Sequence, residues 1–422
     1  MGAASAGLLS LAAGCRPEPG REIRSEERVE VPSPSVLDES FLRPREIGRP
    51  MEGQPWITDL LIADLDQDGL KDVLVAEGRR HEVSWIRQVR PGVYEETVLA
   101  AGIRAPAHLA TADMDGDGDL DILVASMGMI MPSNEKIGAV ILLENDGQEQ
   151  FTARTLLEDV SRVTDVRAGD LDQDGDLDLV IGQFGYHEGE IQRLENLGNG
   201  EFRAHPLLGL SGTIHTPIAD LDGDGDLDFI ALVSQNWEEV YAFINNGQGA
   251  FQSRVLWGST NQDYGSSGLR LADLDGDEDL DILFTNGDGF DYATPGDRPW
   301  HGVQWLQNHD GQRFTFHRIG DFAGAYSPLA IDLDGDGDQD VVAVSGFNDW
   351  SDPQAASLVC FENDGQQRFT RRVLARAPTH LIVVDGADMD NDGAPELVTG
   401  GVYFYPPFDR MARVLLWERH AP

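Results

Sequence analysis

Residues 110–126 read ATADMDGDGDLDILVAS, an acidic loop held between two apolar runs. The runs are short, and the loop has the form D-x-D-x-D-G-x-x-D, so the stretch predicts two strands joined by a tight turn. Residues 62–76, IADLDQDGLKDVLVA, repeat it. Seven copies begin at Asp64, Asp113, Asp170, Asp220, Asp273, Asp332 and Asp388, 49 to 59 residues apart. A second hairpin follows most loops, as in VILLENDGQEQFTARTLL (140–157), VYAFINNGQGAFQSRVLW (240–257) and LVCFENDGQQRFTRRVL (358–374). Apolar runs joined by Asn-Asp-Gly or Asn-Gly are β-hairpins, so each repeat supplies four antiparallel strands, one propeller blade. No segment has the 3.6-residue period of an amphipathic helix.

The fold expected is all-β, a seven-bladed propeller with blades near 49–102, 103–160, 161–211, 212–262, 263–320, 321–377 and 378–422. The seventh repeat stops at VLLWERHAP, in its third strand. Residues Glu39 to Gly48, ESFLRPREIG, share the Phe-then-alternating form of the outer strands EQFTARTLL and QRFTFHRIG. They are expected to complete the last blade and so hide the sheet edges.

Composition narrows the class. The chain of 422 residues has 74 acidic against 31 basic side chains, a formal charge of −43, which argues against a nucleic-acid partner. No apolar window reaches the 18 residues of a membrane span, and two cysteines, Cys15 and Cys360, cannot form a disulfide framework. Cys360, in LVCFEN, reads as a buried inert thiol. Gly-x-Ser-x-Gly, P-loop, Cys-x-x-Cys and His-Glu-x-x-His motifs are missing, which leaves familiar nucleophile, phosphate and zinc chemistries without a foothold.

Carboxylates at loop positions 1, 3, 5 and 9, with Gly at 6 to allow the sharp turn, gather hard oxygen ligands of the kind that suit Ca²⁺. The side-chain ligands expected are Asp64, Asp66, Asp68 and Asp72; Asp113, Asp115, Asp117 and Asp121; Asp170, Asp172, Asp174 and Asp178; Asp220, Asp222, Asp224 and Asp228; Asp273, Asp275, Asp277 and Asp281; Asp332, Asp334, Asp336 and Asp340; Asp388, Asp390, Asp392 and Glu396. Position 7 would add a backbone carbonyl. The fifth loop has Glu278 in place of the glycine, so its turn is expected to be strained or rearranged and its site the weakest. An EF-hand would need flanking helices and a Glu at position 12, and the flanks here are strands. Seven divalent ions would bring −43 to about −29, and affinities on the order of 10⁻⁴ to 10⁻³ M would suffice outside a cell.

With repeats such as ADLDGDGDLDFIALVS and LENLGNGEF, residues Glu39 to Pro422 resemble the FG-GAP/VCBS repeat family. The resemblance implies an integrin-α-type propeller with calcium between the first two strands of a blade. It also implies that the loops joining second to third strands lie on the opposite face. The family spans adhesion modules, polysaccharide lyases and proteins of other roles, so the fold alone does not name an activity.

On that opposite face the long loops Met127 to Ile137, Gln183 to Glu190, Asn286 to His301 and Ser345 to Ala356 carry Phe184, Tyr186, His187, Phe290, Tyr292, Trp300, Phe347 and Trp350, with Trp237 nearby. Aromatic faces beside Asn, Asp and Gln suit sugar rings or a protein partner. Five residues ahead of the acidic loops stand Asp59, His108, Asp165 and His215, with Gly268, Ser327 and Val383 in the other blades. Two residues on come Arg167, Arg270 and Asp385. Inner strands converge on the axis, so these groups are expected at the channel, either as interblade ion pairs or as acid–base groups. His108 and His380, in PAHL and PTHL, suggest one structural role repeated between blades.

The run Met1 to Gly14 is short and apolar and ends at Ala13-Gly14-Cys15, which resembles a bacterial lipoprotein signal and implies lipid attachment at Cys15. Residues 16–38, charged and Pro-rich, read as a tether. The sequence thus predicts an exported calcium-binding propeller, secreted or held at a cell envelope, that binds an extracellular carbohydrate or protein and meets a membrane only through its anchor. The alternatives are a carbohydrate-active enzyme such as a polysaccharide lyase and a purely structural envelope protein.

Overall fold

The computed structural model describes residues 36–420 apart from 199, 236, 237, 291 and 293–295, and among these it contains strands and no helix. Cys15, the segment ahead of it and Trp237 lie outside the described residues. Seven antiparallel sheets follow one another along the chain. In the second, Pro106–Ala112, Asp121–Ser126, Gly138–Asn145 and Phe151–Val160 pair in chain order. The first strand of each blade packs against the first strand of the next, and that of the seventh against that of the first, which closes a ring around an axis. This is a seven-bladed β-propeller.

Hydrophobic pattern places the layers. Second strands such as Asp121–Ser126 and Asp281–Asn286 are buried along their whole length, sandwiched between neighbouring blades, and so read as continuous apolar runs. Fourth strands such as Phe151–Val160 mix half-buried and exposed residues. Each apolar cluster spans two adjacent blades, as where Val73 and Val75 of the first meet Val398 and Leu416 of the seventh. Stability therefore lies between blades rather than within them.

Leu42–Glu46 pairs antiparallel with Val414–Arg419, so the closing strand comes from the amino-terminal side as expected. Leu37, ahead of it, is buried in the same cluster as Leu374 and Trp417. Buried charge fastens the joint: Arg413 reaches Glu96 at 2.7 Å, and Arg49 binds Glu96 at 2.9 Å and Glu82 at 2.5 Å. Burial alone would push the Glu96 carboxyl up, yet the two guanidinium groups hold it below its ordinary value.

Every inner strand is irregular at one place. The register shifts between Ile57 and Asp59, Pro106 and His108, Val163 and Asp165, Thr213 and His215, Ser266 and Gly268, Tyr326 and Leu329, and Leu381 and Val383. A bulge frees one residue from the ladder and re-aims its neighbours. Hydroxyls at the bulge stitch blade to blade: Thr58 Oγ1 donates to Pro106 O, Thr164 Oγ1 to Thr213 O, and Ser267 Oγ to Ala325 O. In the fourth blade Pro217, which has no N–H, separates Thr213–His215 from Ile218–Ala219.

A chain lacking residues 1–48 leaves the strand Val414–Arg419 as a bare edge. It is expected to melt roughly 5–10 °C lower and to self-associate. Thermal melting and gel filtration check this, and an unchanged melt with monomeric elution would count against strand exchange as the closure.

Candidate metal loops and axial cavity

The seven acidic loops share one backbone trace. The first aspartate accepts the N–H of position 6 in every blade, from Gly69 to Asp64 at 3.0 Å through Gly393 to Asp388 at 2.9 Å. Position 5 accepts the N–H of position 7 likewise, as Asp119 N to Asp117 at 3.0 Å. Position 6 has φ between 74° and 98°, which explains its glycine. Glu278 takes the same shape at φ 74° and donates to Asp273 at 3.0 Å, so the fifth loop is strained and not rearranged.

In the first three loops, oxygens of positions 1, 3 and 5 lie within 4.8 Å of one another, and in the fourth and fifth those of positions 1, 3 and 9 do. Asp64 Oδ1, Asp170 Oδ1, Asp172 Oδ1, Asp222 Oδ1 and Asp275 Oδ1 are buried with no hydrogen-bond donor. An all-oxygen donor set with orphaned buried carboxylate atoms fits a hard divalent cation.

Position 9 has a second task that the motif alone did not reveal. Asp121 Oδ2 accepts Met114 N at 2.9 Å while Oδ1 accepts Asn145 N at 2.8 Å, tying the start of the loop to the end of the third strand. Asp72, Asp228, Asp281 and Asp340 make the same pair of bonds, with Gln88, Asn245, Asn308 and Asn363 as the distant donors. The asparagine recurring at the end of the third strand was the available signal. Burial pushes these carboxyls up, Asp72, Asp178 and Asp228 to about 6, and Asp281, Asp340 and Glu396 to about 7.

The loops are not equivalent. In the third, the buried guanidinium of Arg193 bonds Asp172 and Asp178. At the matching place the other blades have Trp85, Leu142, Ala242, Trp305, Cys360 and Leu416. In the first, Arg87 reaches Asp66 at 2.5 Å from the edge.

At the axis a cavity of about 580 Å³ takes walls from all seven blades. Asp59, His108, Arg167, His215 and Tyr186 line it, and Asp165 stands fully buried behind them. Arg167 donates to His108 Nε2 at 2.7 Å. A guanidinium can only donate, so Nε2 is the accepting nitrogen, and Nδ1 faces Asp165 Oδ1 at 2.9 Å. Asp165 also accepts Thr216 N at 2.5 Å, and Asp59 accepts Leu109 N at 2.8 Å, so the acids bridge consecutive blades. Asp165 is held far below the carboxylate range: burial opposes this, and Arg167 and His108 outweigh it. Burial lowers His215 to about 4. Arg270 crosses to Asp385 at 2.9 Å.

Tyr292, Trp300 and Trp350 do not line this cavity. Tyr292 and Trp300 both donate to Asp263 O, at 2.7 and 2.8 Å, and Trp350 packs 5.4 Å from the His380 ring. Phe347 is buried under Phe290. His380 and His108 are not equivalent: Val383, three residues past His380, takes the His108 place, and His380 is buried against Tyr403. Sequence reading passed over Phe404 and Tyr405 of the last blade and Met127, Ile130 and Met131, all of which line the cavity. The YFYPPF run at 403–408 was the signal available for the first two.

An FG-GAP-like repeat family model matches residues 64–124, 220–284 and 332–399. The matched stretches hold six of the seven acidic loops, consistent with the FG-GAP/VCBS repeat family. No curated protein matches the sequence. Among solved structures it is similar to BBS1N in complex with ARL6DN. The mercury-soaked crystal gives a TM-score of 0.53 at 10% identity over 87% of this chain and 93% of that one. The lead-soaked crystal gives 0.53 at 9% over 91% and 98%. These likenesses concern the fold alone. The V. cholerae biofilm matrix protein Bap1 aligns with a TM-score of 0.44 at 12% identity over 87% and 88%.

Raised carboxyls set a pH dependence. The folded state holds protons on the position-9 acids, and on Glu238 at about 7, that the unfolded chain has released, so their contribution to stability falls as pH rises from about 4 to 7. His215, His301 and His380, each lowered to about 4, act in the opposite sense below pH 6.5, but the acids outnumber them. In chelator the melting temperature is therefore expected to be higher at pH 5 than at pH 7.5, and a rise toward pH 7.5 would contradict the assignment.

Proposed function

We propose that the protein is an exported, calcium-stabilised propeller that binds an extracellular carbohydrate or protein through the face opposite its acidic loops. The observation that carries this reading is the axial cavity. Its upper wall comes from the loops joining second to third strands, through Met127, Ile130, Met131, Phe184, Tyr186, Phe290 and Phe404. A concave, mostly apolar site with a few convergent polar groups, on a rigid frame, is the usual form of a ligand site. Lipid attachment at Cys15 would hold the chain at a cell envelope.

Binding is favoured over chemistry by the state of the axial groups. Neither nitrogen of His108 is open to take a substrate proton, one facing Arg167 and the other Asp165. His215, lowered to about 4, is a weak base. The test is retention of the protein on immobilised polysaccharides and candidate proteins in millimolar Ca²⁺, with the rim variants Met131→Asp and Tyr186→Ala alongside. Retention that falls at least tenfold in both variants at an unchanged melting temperature is the expected result, and retention indifferent to both would place the ligand elsewhere.

Calcium enters through the chain's own carboxylates. The first, third and fifth positions would hold the ion, and it would relieve the repulsion between them. In the third loop a divalent ion would meet Arg193, so this site, rather than the fifth, is the weakest in this reading. Bound metal per chain, measured after desalting, is expected to rise by about one in Arg193→Met. An unchanged content would mean that Arg193 does not compete.

A further inference from the structure

The chemistry of the axial ligand can be narrowed from the charges that meet there. Three carboxylates, Asp59, Asp165 and Asp385, and two guanidinium groups, Arg167 and Arg270, point inward from the bulged inner strands. Asp165 is answered by Arg167 Nε at 3.1 Å and by Thr216 N at 2.5 Å, with His108 Nδ1 at 2.9 Å. Asp385 is answered by Arg270 at 2.9 Å and by Ile62 N at 3.0 Å. Arg270 spends a further donor on Val384 O.

Asp59 differs from both. It accepts one hydrogen bond, Leu109 N at 2.8 Å, through Oδ2. Its nearest side-chain nitrogen is His108 Nε2 at 3.8 Å, the atom already occupied by Arg167. Counting Asp288 and Arg162, which also line the cavity, the axis has among the described residues one more carboxylate than guanidinium groups, and burial pushes the Asp59 carboxyl up, so that a cation beside it would draw it to its charged form. In the fifth, sixth and seventh blades the equivalent positions are Gly268, Ser327 and Val383, uncharged residues along the arc that runs from opposite Asp59 round to the blade beside it.

The walls add to this. Tyr186, Phe290, Tyr326, Phe404 and Tyr405 offer aromatic faces, which attract organic cations as Phe184 already holds Arg162, and the methionines of the rim adapt to varied hydrocarbon stems. The net charge of −43 draws cations toward the protein and repels anions. Acidic polysaccharides are disfavoured on the same ground.

We propose that the axial cavity binds an organic cation, an ammonium or guanidinium group on a hydrocarbon or aromatic stem, with its charge against Asp59 and its stem along the aromatic wall. This rests on the cavity being the ligand site. The cation comes either as a free amine or as a lysine or arginine side chain of a partner polypeptide.

The experiment uses the full chain in millimolar Ca²⁺ and three probes matched in size: 2-phenylethylamine, 2-phenylethanol and 3-phenylpropionate, titrated by calorimetry or ligand-observed NMR. The amine is expected to bind most tightly. Asp59→Asn, whose side-chain oxygen can still accept Leu109 N, is expected to weaken the amine at least tenfold and leave the alcohol within about twofold. Tightest binding of the carboxylate, or amine binding indifferent to Asp59→Asn, overturns the charge assignment and leaves the cavity a ligand site. Absence of binding by all three overturns both. The wild-type order of the probes stands as a test even if the variant misfolds. A short lysine peptide binding at least tenfold more tightly than the free amine identifies a partner side chain as the source, and the reverse order identifies a small amine; either result supports the proposal.

Discussion

A carboxylate that accepts two backbone N–H groups, one from the start of its own loop and one from the end of the third strand, recurs around the ring in Asp72, Asp121, Asp228, Asp281 and Asp340. Each sits at the first residue of a wholly buried strand, where an unmet backbone donor would be costly. The bond fixes where the second strand begins, and hence the register of everything that packs against it. The third blade shows how far this can be modified: Arg193 takes one oxygen of Asp178, and Asn196 N keeps the other. The same carboxylates lie at the edge of the acidic loops, so folding and any cation held there act on one set of atoms.

The axis is the counterpart of this regularity. Repetition makes the seven loops alike, whereas the inner strands differ from blade to blade at the positions that face the channel. Four blades bring Asp59, His108, Asp165 and His215, and three bring Gly268, Ser327 and Val383. A ring of equal blades would fill its axis evenly. Here the unevenness leaves a cavity whose lining mixes charged groups with small and apolar residues.

The fold was legible because the acidic loop and the Asn-Gly turn punctuate strands at fixed places, and because the last repeat lacks a strand that Leu42–Glu46 supplies. The gathering of Asp59, His108, Arg167 and His215 at the axis could be read too, since inner strands must converge. What could not be read was contact between distant elements. Nothing in QRLEN announces that Arg193 turns into its own blade's acidic loop, and nothing in the aromatic loop residues 286–301 says that Tyr292 and Trp300 are spent on Asp263 O. Short motifs such as PAHL and PTHL misled, because likeness over four residues does not fix position in a repeat whose strands are bulged.

The joint between Leu42–Glu46 and Val414–Arg419 orders events in time as well as in space. The outer strand of the last blade is among the first pieces of the body to be synthesised, and its partner is nearly the last. At ordinary rates of about 5–20 residues per second, the two are separated by roughly 20–70 s. Throughout that interval Leu42 lacks the seventh-blade residues, Leu415 and Trp417 among them, with which it is buried in the finished ring. Whatever handles the nascent chain, chaperone or translocation machinery, therefore meets it as an open ribbon, and the ring exists only once Val414–Arg419 has been made.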